Sequence, residues 1–491
     1  MSTVVSAPGK VLIAGGYLVL EPAYSGIVIS ASSRFYTVIT DKDGIGAFTI
    51  QVRSPQFVDA TWKYTVSVSE ARVDVQEHAD NTSKNKFVYL ALKKTLDFSH
   101  EVVGASSLSA TLTQGLDIAI AGDNDFYSQR ANLEALGLPR TLESLDKIEP
   151  FAATGVTLGD VHKTGMGSSA SLITSLVSAL LLHTKTIPAT SFDEVHTDGR
   201  RLAHNLAQYV HCLAQGKVGS GFDVSAAAFG SHIYTRFNPD VIRPLMSDNS
   251  NIALQDIISP SNGDWNYRVE PFQLPPLTRI MLADVDAGSD TPSLVGKVLA
   301  WRKSEPEHSR ALWTALDQTN QSLAKTLRKL SDMHAENSGA YTSAVQYIGT
   351  LETSQWLANP TRPAAERAIA QTFLEAHDLS ESIRRQMREM GKLAGVPIEP
   401  EQQTQLLDQC VNITGVIGGG VPGAGGFDAI WLLVLEPVDT TTDGAPVARV
   451  EETWARAEAV SPLLASESLA KGCRVEFLDT VKGLKTAISR T

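Results

Sequence analysis

The spacing of apolar residues divides the chain into elements before any chemistry is considered. Leu172, Ile173, Leu176, Val177 and Leu180 recur three and four apart, which predicts one face of a helix. Leu202, Leu206, Tyr209, Val210 and Leu213 repeat the pattern across residues 201–213, and Gln215-Gly216 ends it. Ile369, Phe373, Ala376, Ile383, Met387 and Met390 predict a long amphipathic helix over 364–393. Broken helix is expected over 309–357, and shorter helices at 87–96 and 451–459. Strand patterns fall at 4–13, interrupted by Pro8-Gly9, and at 27–40, where Arg34 sits among apolar neighbours. Residues 44–68 read as hairpin material and 108–120 alternate like a strand. Further strands are expected at 231–237, 279–285, 412–420, 427–435 and 475–477.

Strands and helices alternate without a regular βαβ rhythm, so the pattern predicts an α+β fold. A chain of 491 residues has the length for two intimately joined domains. The polar stretch 246–276, with Pro260, Pro271, Pro275 and Pro276, marks the expected connection between a domain at 1–245 and another at 277–491. The polar run 123–149 reads as a surface excursion.

Composition narrows the class. With 43% hydrophobic and 20% charged residues the chain has the make-up of an ordinary soluble protein, and no apolar run reaches membrane-spanning length. Cys212, Cys410 and Cys473 are odd in number and widely spaced, which argues against a disulfide framework and for a reducing compartment. The first residues carry no signal-peptide pattern and the last four no convincing peroxisomal one, so the expected location is the cytosol. The formal charge of −12 disfavours nucleic acid or an anionic membrane as partner. It leaves a small-molecule ligand, with the chain a monomer or a homodimer.

Chemistry concentrates in three blocks. HKTGMGSSA, residues 162–170, sets two glycines and two serines against the start of a helix. Gly165 and Gly167 permit close backbone approach, Ser168 or Ser169 can cap the first turn, and Lys163 adds a charge. Free N–H groups at the positive end of a helix form an anion site, although GxxxxGK[ST] spacing is lacking. The second block, SAPGKVLIAGGYLVLEP, spans 6–22 and places Lys10 after a Pro-Gly turn. The third, GVIGGGVPGAGGFDAI, spans 415–430 and has seven glycines between 415 and 426. Asp223 stands in a glycine-flanked turn, GSGFDVSAAAFG, before a small-residue run. Each feature also has a plain reading: an edge lysine, a helix cap, a self-stabilising aspartate turn, a tight loop.

The three blocks in this order resemble the GHMP kinase superfamily. The AGGYLVLEP wording is similar to the eukaryotic, fungal-type phosphomevalonate kinase branch. The resemblance implies an N-terminal domain like the second domain of ribosomal protein S5, a ferredoxin-like C-terminal domain, and a cleft between them. It implies ATP with Mg2+, and 5-phosphomevalonate as acceptor. Lys163, Thr164, Gly165, Met166, Gly167, Ser168, Ser169 and Ala170 would bind ATP, with Ser169 on the metal. Lys10 and Asp223 would be catalytic, and Tyr17, Ser289, Thr291, Gly423, Ala424 and Gly425 would meet the acceptor. One departure is visible: the helix over 203–213 has no acidic residue where mevalonate kinases carry a magnesium-binding glutamate. His204 and His211, seven apart there, read as packing. Lys84, Lys86, Lys217, Arg34, Arg384 and Arg388 remain unassigned cations. Mevalonate kinase, diphosphomevalonate decarboxylase and a silent ligand sensor of the same fold stay as alternatives.

Overall fold

The computed structural model describes residues 2–42, 44–247, 252–285, 291–438, 444–457 and 459–490, without the side chains of 291 and 292. Thirteen strands are described: β1 (Ser2–Ala14), β2 (Ser25–Asp41), β3 (Thr49–Arg53), β4 (Thr61–Val68), β5 (Val73–Glu77), β6 (Leu116–Gly122), β7 (His232–Thr235), β8 (Arg268–Pro271), β9 (Thr278–Val285), β10 (Val416–Gly420), β11 (Ala429–Leu435), β12 (Val460–Leu463) and β13 (Arg474–Val475). The larger sheet runs β13-β1-β2-β6-β3-β4-β5, with β7 and β8 branching from β2. The smaller runs β10-β11-β9-β12.

Pro8-Gly9 does not end the first strand. β1 pairs with β2 on both sides of it, and the register shifts between Pro8 and Lys10. Proline lacks an N–H to donate, so it sits at this irregularity without wasting a ladder bond. Helix α1 (Lys86–Leu112) is longer than the spacing predicts and kinks at Gly104, whose φ is 81°. The alternation expected from 108 to 120 is therefore split. Leu108 and Leu112 lie four apart on the helix and are buried, and only Leu116–Gly122 is strand.

The larger sheet carries α2 (Ser168–His183), α3 (Asp198–Gln215) and α4 (Phe222–Phe229). Leu176, Val177 and Leu180 are buried in the core cluster with Ile29 and Ile39. Beyond the sheet follow α5 (Thr291–Ser304), α6 (Pro306–Glu336), α7 (Ala364–Ala394), α8 (Glu401–Val411) and α9 (Pro446–Ala455). In α7 all six residues of the expected stripe are buried. The smaller sheet is antiparallel throughout. Its strands occur in the order strand, helices, strand, strand, helix, strand, which is the ferredoxin-like arrangement the resemblance implies.

Two polar stretches are structural. In 123–149, Asp125, Phe126, Tyr127, Leu133, Leu145 and Ile148 are buried, so this is not a surface excursion. Its polar residues bond inward: Asp125 accepts from Ser33 and from the N–H of Leu464. Stretch 246–276 likewise buries Leu254, Ile258, Trp265, Phe272 and Leu274, and its β8 pairs with β7. The C-terminal segment then returns to the larger sheet. Arg34 donates to Ser6 and to the carbonyl of Gly472, and Arg200 donates to the carbonyls of Lys471 and Cys473.

Candidate active site

The three blocks collect along a single strand. Midway along β1, the N–H of Lys10 donates to the carbonyl of Met166 at 3.0 Å, and Ser171 Oγ donates to the carbonyl of Pro8 at 2.7 Å. The middle glycine loop is thus docked on Pro8–Lys10. A Cβ at Gly9 would lie 3.0 Å from that Met166 oxygen, which is why glycine follows the proline. At the end of β1 the third block docks in the same manner. Gly423 N–H donates to the carbonyl of Leu12, and a Cβ at Gly16 would lie 2.3 Å from the Gly423 oxygen. Tyr17 Oη donates to the carbonyl of Ala424 at 2.7 Å. Tyr17 holds a φ of 64°, unusual for a side-chain-bearing residue, and its burial raises the phenol pKa well above the usual range.

Between these contacts lies a cleft of about 710 Å3. Lys10, Tyr17, Gly165, Gly167, His211, Asp223 and the 423–425 loop line it, together with Val295 and Leu299 of α5. Gly167 (φ 80°) is the N-cap of α2 and no side chain caps that end. The expected serine cap is therefore corrected: Ser168 and Ser169 occupy the first helical positions and their N–H groups stay open, whereas that of Ala170 donates to the carbonyl of Gly167. Ser169 Oγ instead meets His211 Nε2 at 3.1 Å. Thr164, Met166 and Ala170 are buried and Lys163 is exposed, and none of the four lines the cleft.

Lys10 Nζ donates to the carbonyl of Gly165 at 2.9 Å and stands 5.4 Å above the Phe222 ring. Burial lowers its pKa, and the nearby Asp223 carboxylate opposes that shift. Asp223 is not in a turn. It sits in the first turn of α4, after Gly221 in the left-handed region, where its carboxylate complements the positive helix end. Its Oδ1 accepts from the N–H of Val224, and its Oδ2 lies 3.9 Å from His211 Nε2.

His211 is the site residue that apolar spacing misses. Its ring joins Ser169, Asp223 and Gln215, and only its helical register toward α2 places it there. His204 points elsewhere, between Phe229 and Tyr267, and burial pushes its pKa down to about 4. The arginine candidates are also spent elsewhere. Arg34 staples the C-terminal segment, while Arg384 pairs with Glu381, Glu399 and Asp408, and Arg388 with Glu399. Ser289 lies outside the described residues, as does the side chain of Thr291, whose backbone opens α5.

A glycine loop at a helix start, a lysine and an aspartate across one cleft, and a second glycine loop from a ferredoxin-like sheet form the arrangement that the resemblance to the GHMP kinases implies. No family model matches the chain. A peroxisomal phosphomevalonate kinase of Arabidopsis thaliana is 39% identical over 462 residues, covering 89% of this chain and 90% of that one. The phosphomevalonate kinase erg8 of Aspergillus fumigatus is 35% identical, covering 92% and 90%. The chain belongs to the phosphomevalonate kinase family. In fold it is similar to a Streptococcus pneumoniae phosphomevalonate kinase solved with phosphomevalonate and AMPPNP, at 15% identity, a TM-score of 0.54, and coverage of 95% and 99%.

Proposed function

We propose that the chain transfers the γ-phosphoryl group of ATP to the phosphate of (R)-5-phosphomevalonate, giving (R)-5-diphosphomevalonate and ADP. The observation that carries this is the convergence of both glycine loops, Lys10 and Asp223 on one cleft beside β1. Gly165, Gly167 and the open N–H groups of Ser168 and Ser169 receive the ATP phosphates. The 423–425 loop, held by Tyr17, receives the acceptor, with Ser289 and Thr291 as further hydroxyl partners.

The acceptor oxygen needs little deprotonation, since a phosphate monoester has a second pKa of about 6. Its difficulty is repulsion from the γ-phosphate. One like-charge pair at about 4 Å costs about 4 kcal/mol at an effective dielectric of about 20, and several such pairs act together. Lys10 therefore has the larger task. Its ammonium, held by the Gly165 carbonyl and facing Asp223, neutralises charge as the two phosphates approach. Asp223 aligns the acceptor and fixes Lys10.

The residues present fit a magnesium ion that arrives with the nucleotide. Ser169 Oγ and an Asp223 oxygen, both hard donors, flank His211 Nε2. Among the described residues no group of three or more His, Cys, Asp or Glu would hold a metal alone. When bound, magnesium would supply charge neutralisation on the ATP phosphates, with Ser169 and Asp223 as its protein donors.

No described helix is long and apolar enough to cross a membrane. The three cysteines are buried and free, which fits a reducing compartment.

The test is a panel of acceptors with ATP: mevalonate, 5-phosphomevalonate and 5-diphosphomevalonate, followed by phosphorus NMR. The expected result is a new diphosphate from 5-phosphomevalonate alone. Faster phosphorylation of free mevalonate, or carbon dioxide release from the diphosphate, would overturn the assignment.

A further inference from the structure

We propose that Lys217 is the second cation of the cleft and the residue that selects a phosphorylated acceptor over its free alcohol. This rests on the acceptor being a phosphate monoester, as read above. Such an acceptor brings about two negative charges to a nucleotide that already carries several. Lys10 faces the transferring group, so the acceptor's own phosphate needs a further positive partner.

The candidates reduce to one. Arg34, Arg384 and Arg388 are committed to carbonyls and carboxylates outside the cleft. Lys84 lies 3.8 Å from Glu77, and neither Lys84 nor Lys86 lines the cleft. Lys217 does line it, together with Lys10, Asp223 and the 423–425 loop. Its ammonium has no ion-pair or hydrogen-bond partner among the described residues.

The backbone that carries Lys217 is held in place. Gly216, left-handed at φ 71°, ends α3, and the N–H of Lys217 returns to the carbonyl of Cys212 at 3.1 Å. The following carbonyls are pinned by buried groups. Arg236 donates to the carbonyls of Val218 and Gly219, and also to that of Leu20 within the 6–22 block. Tyr234 Oη donates to the carbonyl of Ser220 at 2.8 Å. An exposed lysine on a free loop is ordinary. This one stands between a helix C-cap and the helix of Asp223, on a loop fixed by a buried arginine. The ordering cost of presenting its charge to a ligand is thereby reduced to the side chain alone.

Steady-state kinetics of the full chain with ATP and 5-phosphomevalonate test this, using K217A and K217R. K217A should raise the acceptor KM about tenfold or more, while the nucleotide KM stays within about twofold. K217R should restore most of the loss. The preference for 5-phosphomevalonate over mevalonate should fall by the same factor in K217A. An unchanged acceptor KM, or a nucleotide KM that rises equally, would overturn the assignment of Lys217 alone. If the wild-type chain did not turn over 5-phosphomevalonate, the functional reading itself would fail. Should K217A fold poorly by thermal unfolding, K217Q keeps the stem and removes the charge, and the same comparison of the two KM values decides.

Discussion

Lys10 and Asp223 face one cleft with opposite charges, and the acceptor's chemistry sets their relative weight. If repulsion between phosphates is the main barrier, K10A should lower kcat by about 100-fold or more, with both KM values little changed. D223N keeps the shape and an acceptor oxygen, so it should cost less, about tenfold. A dead D223N beside an active K10A would reverse this order. A second residue-scale prediction concerns Glu467. Burial raises its carboxyl from 4.5 to about 7, although the N–H of Leu274 and the hydroxyl of Ser231 favour the charged form. The folded state thus binds a proton that the unfolded state releases between these values. Its contribution to stability is present below about 4.5 and is lost as pH rises through about 7. E467Q, which keeps the acceptor oxygen, should therefore gain about 1–2 kcal/mol over wild type at pH 8 and nothing at pH 4. Denaturant unfolding at the two pH values measures the difference.

At the scale of elements, the middle loop shows how local geometry and chemistry are joined. Gly167 is left-handed because α2 must begin sharply after the loop leaves β1. A Cβ there would lie 3.0 Å from Lys10 Cε, so even alanine pushes on the Lys10 side chain. G167A should cost about 1–2 kcal/mol of stability from the backbone and should lower kcat as well as raise the nucleotide KM. Loss of ATP affinity with unchanged kcat would show that the loop acts on the nucleotide only. The third loop is built from the opposite side. A Cβ at Gly425 would lie 2.0 Å from the carbonyl of Ile398, and the neighbouring Glu399 is clamped by Arg384 and Arg388. A buried ion cluster thus supports the loop from behind.

At the scale of the whole molecule, the chain's end is part of its beginning. β13 pairs with β1, and Leu484 and Ala487 pack with Val4 and Tyr36. Removing residues 471–490 would leave donors of Arg34 and Arg200 buried without their carbonyls. An uncompensated buried charge costs about 3–5 kcal/mol, so the truncated chain should lose its cooperative thermal transition. A melting curve followed by circular dichroism checks this, and an unchanged midpoint would remove the structural role from these arginines.

The sequence by itself determined the elements whose cause is local. The stripe of α7, the apolar face of α2, the end of α3 at Gly216 and the buried strands β9 and β11 follow from spacing and from glycine's backbone freedom. The three glycine-bearing blocks are legible too, because each is written in consecutive residues. What depends on a distant partner is set by the fold. It turned 123–149 from polar surface into buried framework, because Ser33 and Leu464 supply its hydrogen bonds. It gave His211 to the cleft and His204 to the core, a distinction that helix spacing cannot carry. It removed Arg34, Arg384 and Arg388 from the candidates and left Lys217, because a cation's role is set by which carboxylates and carbonyls the fold brings beside it.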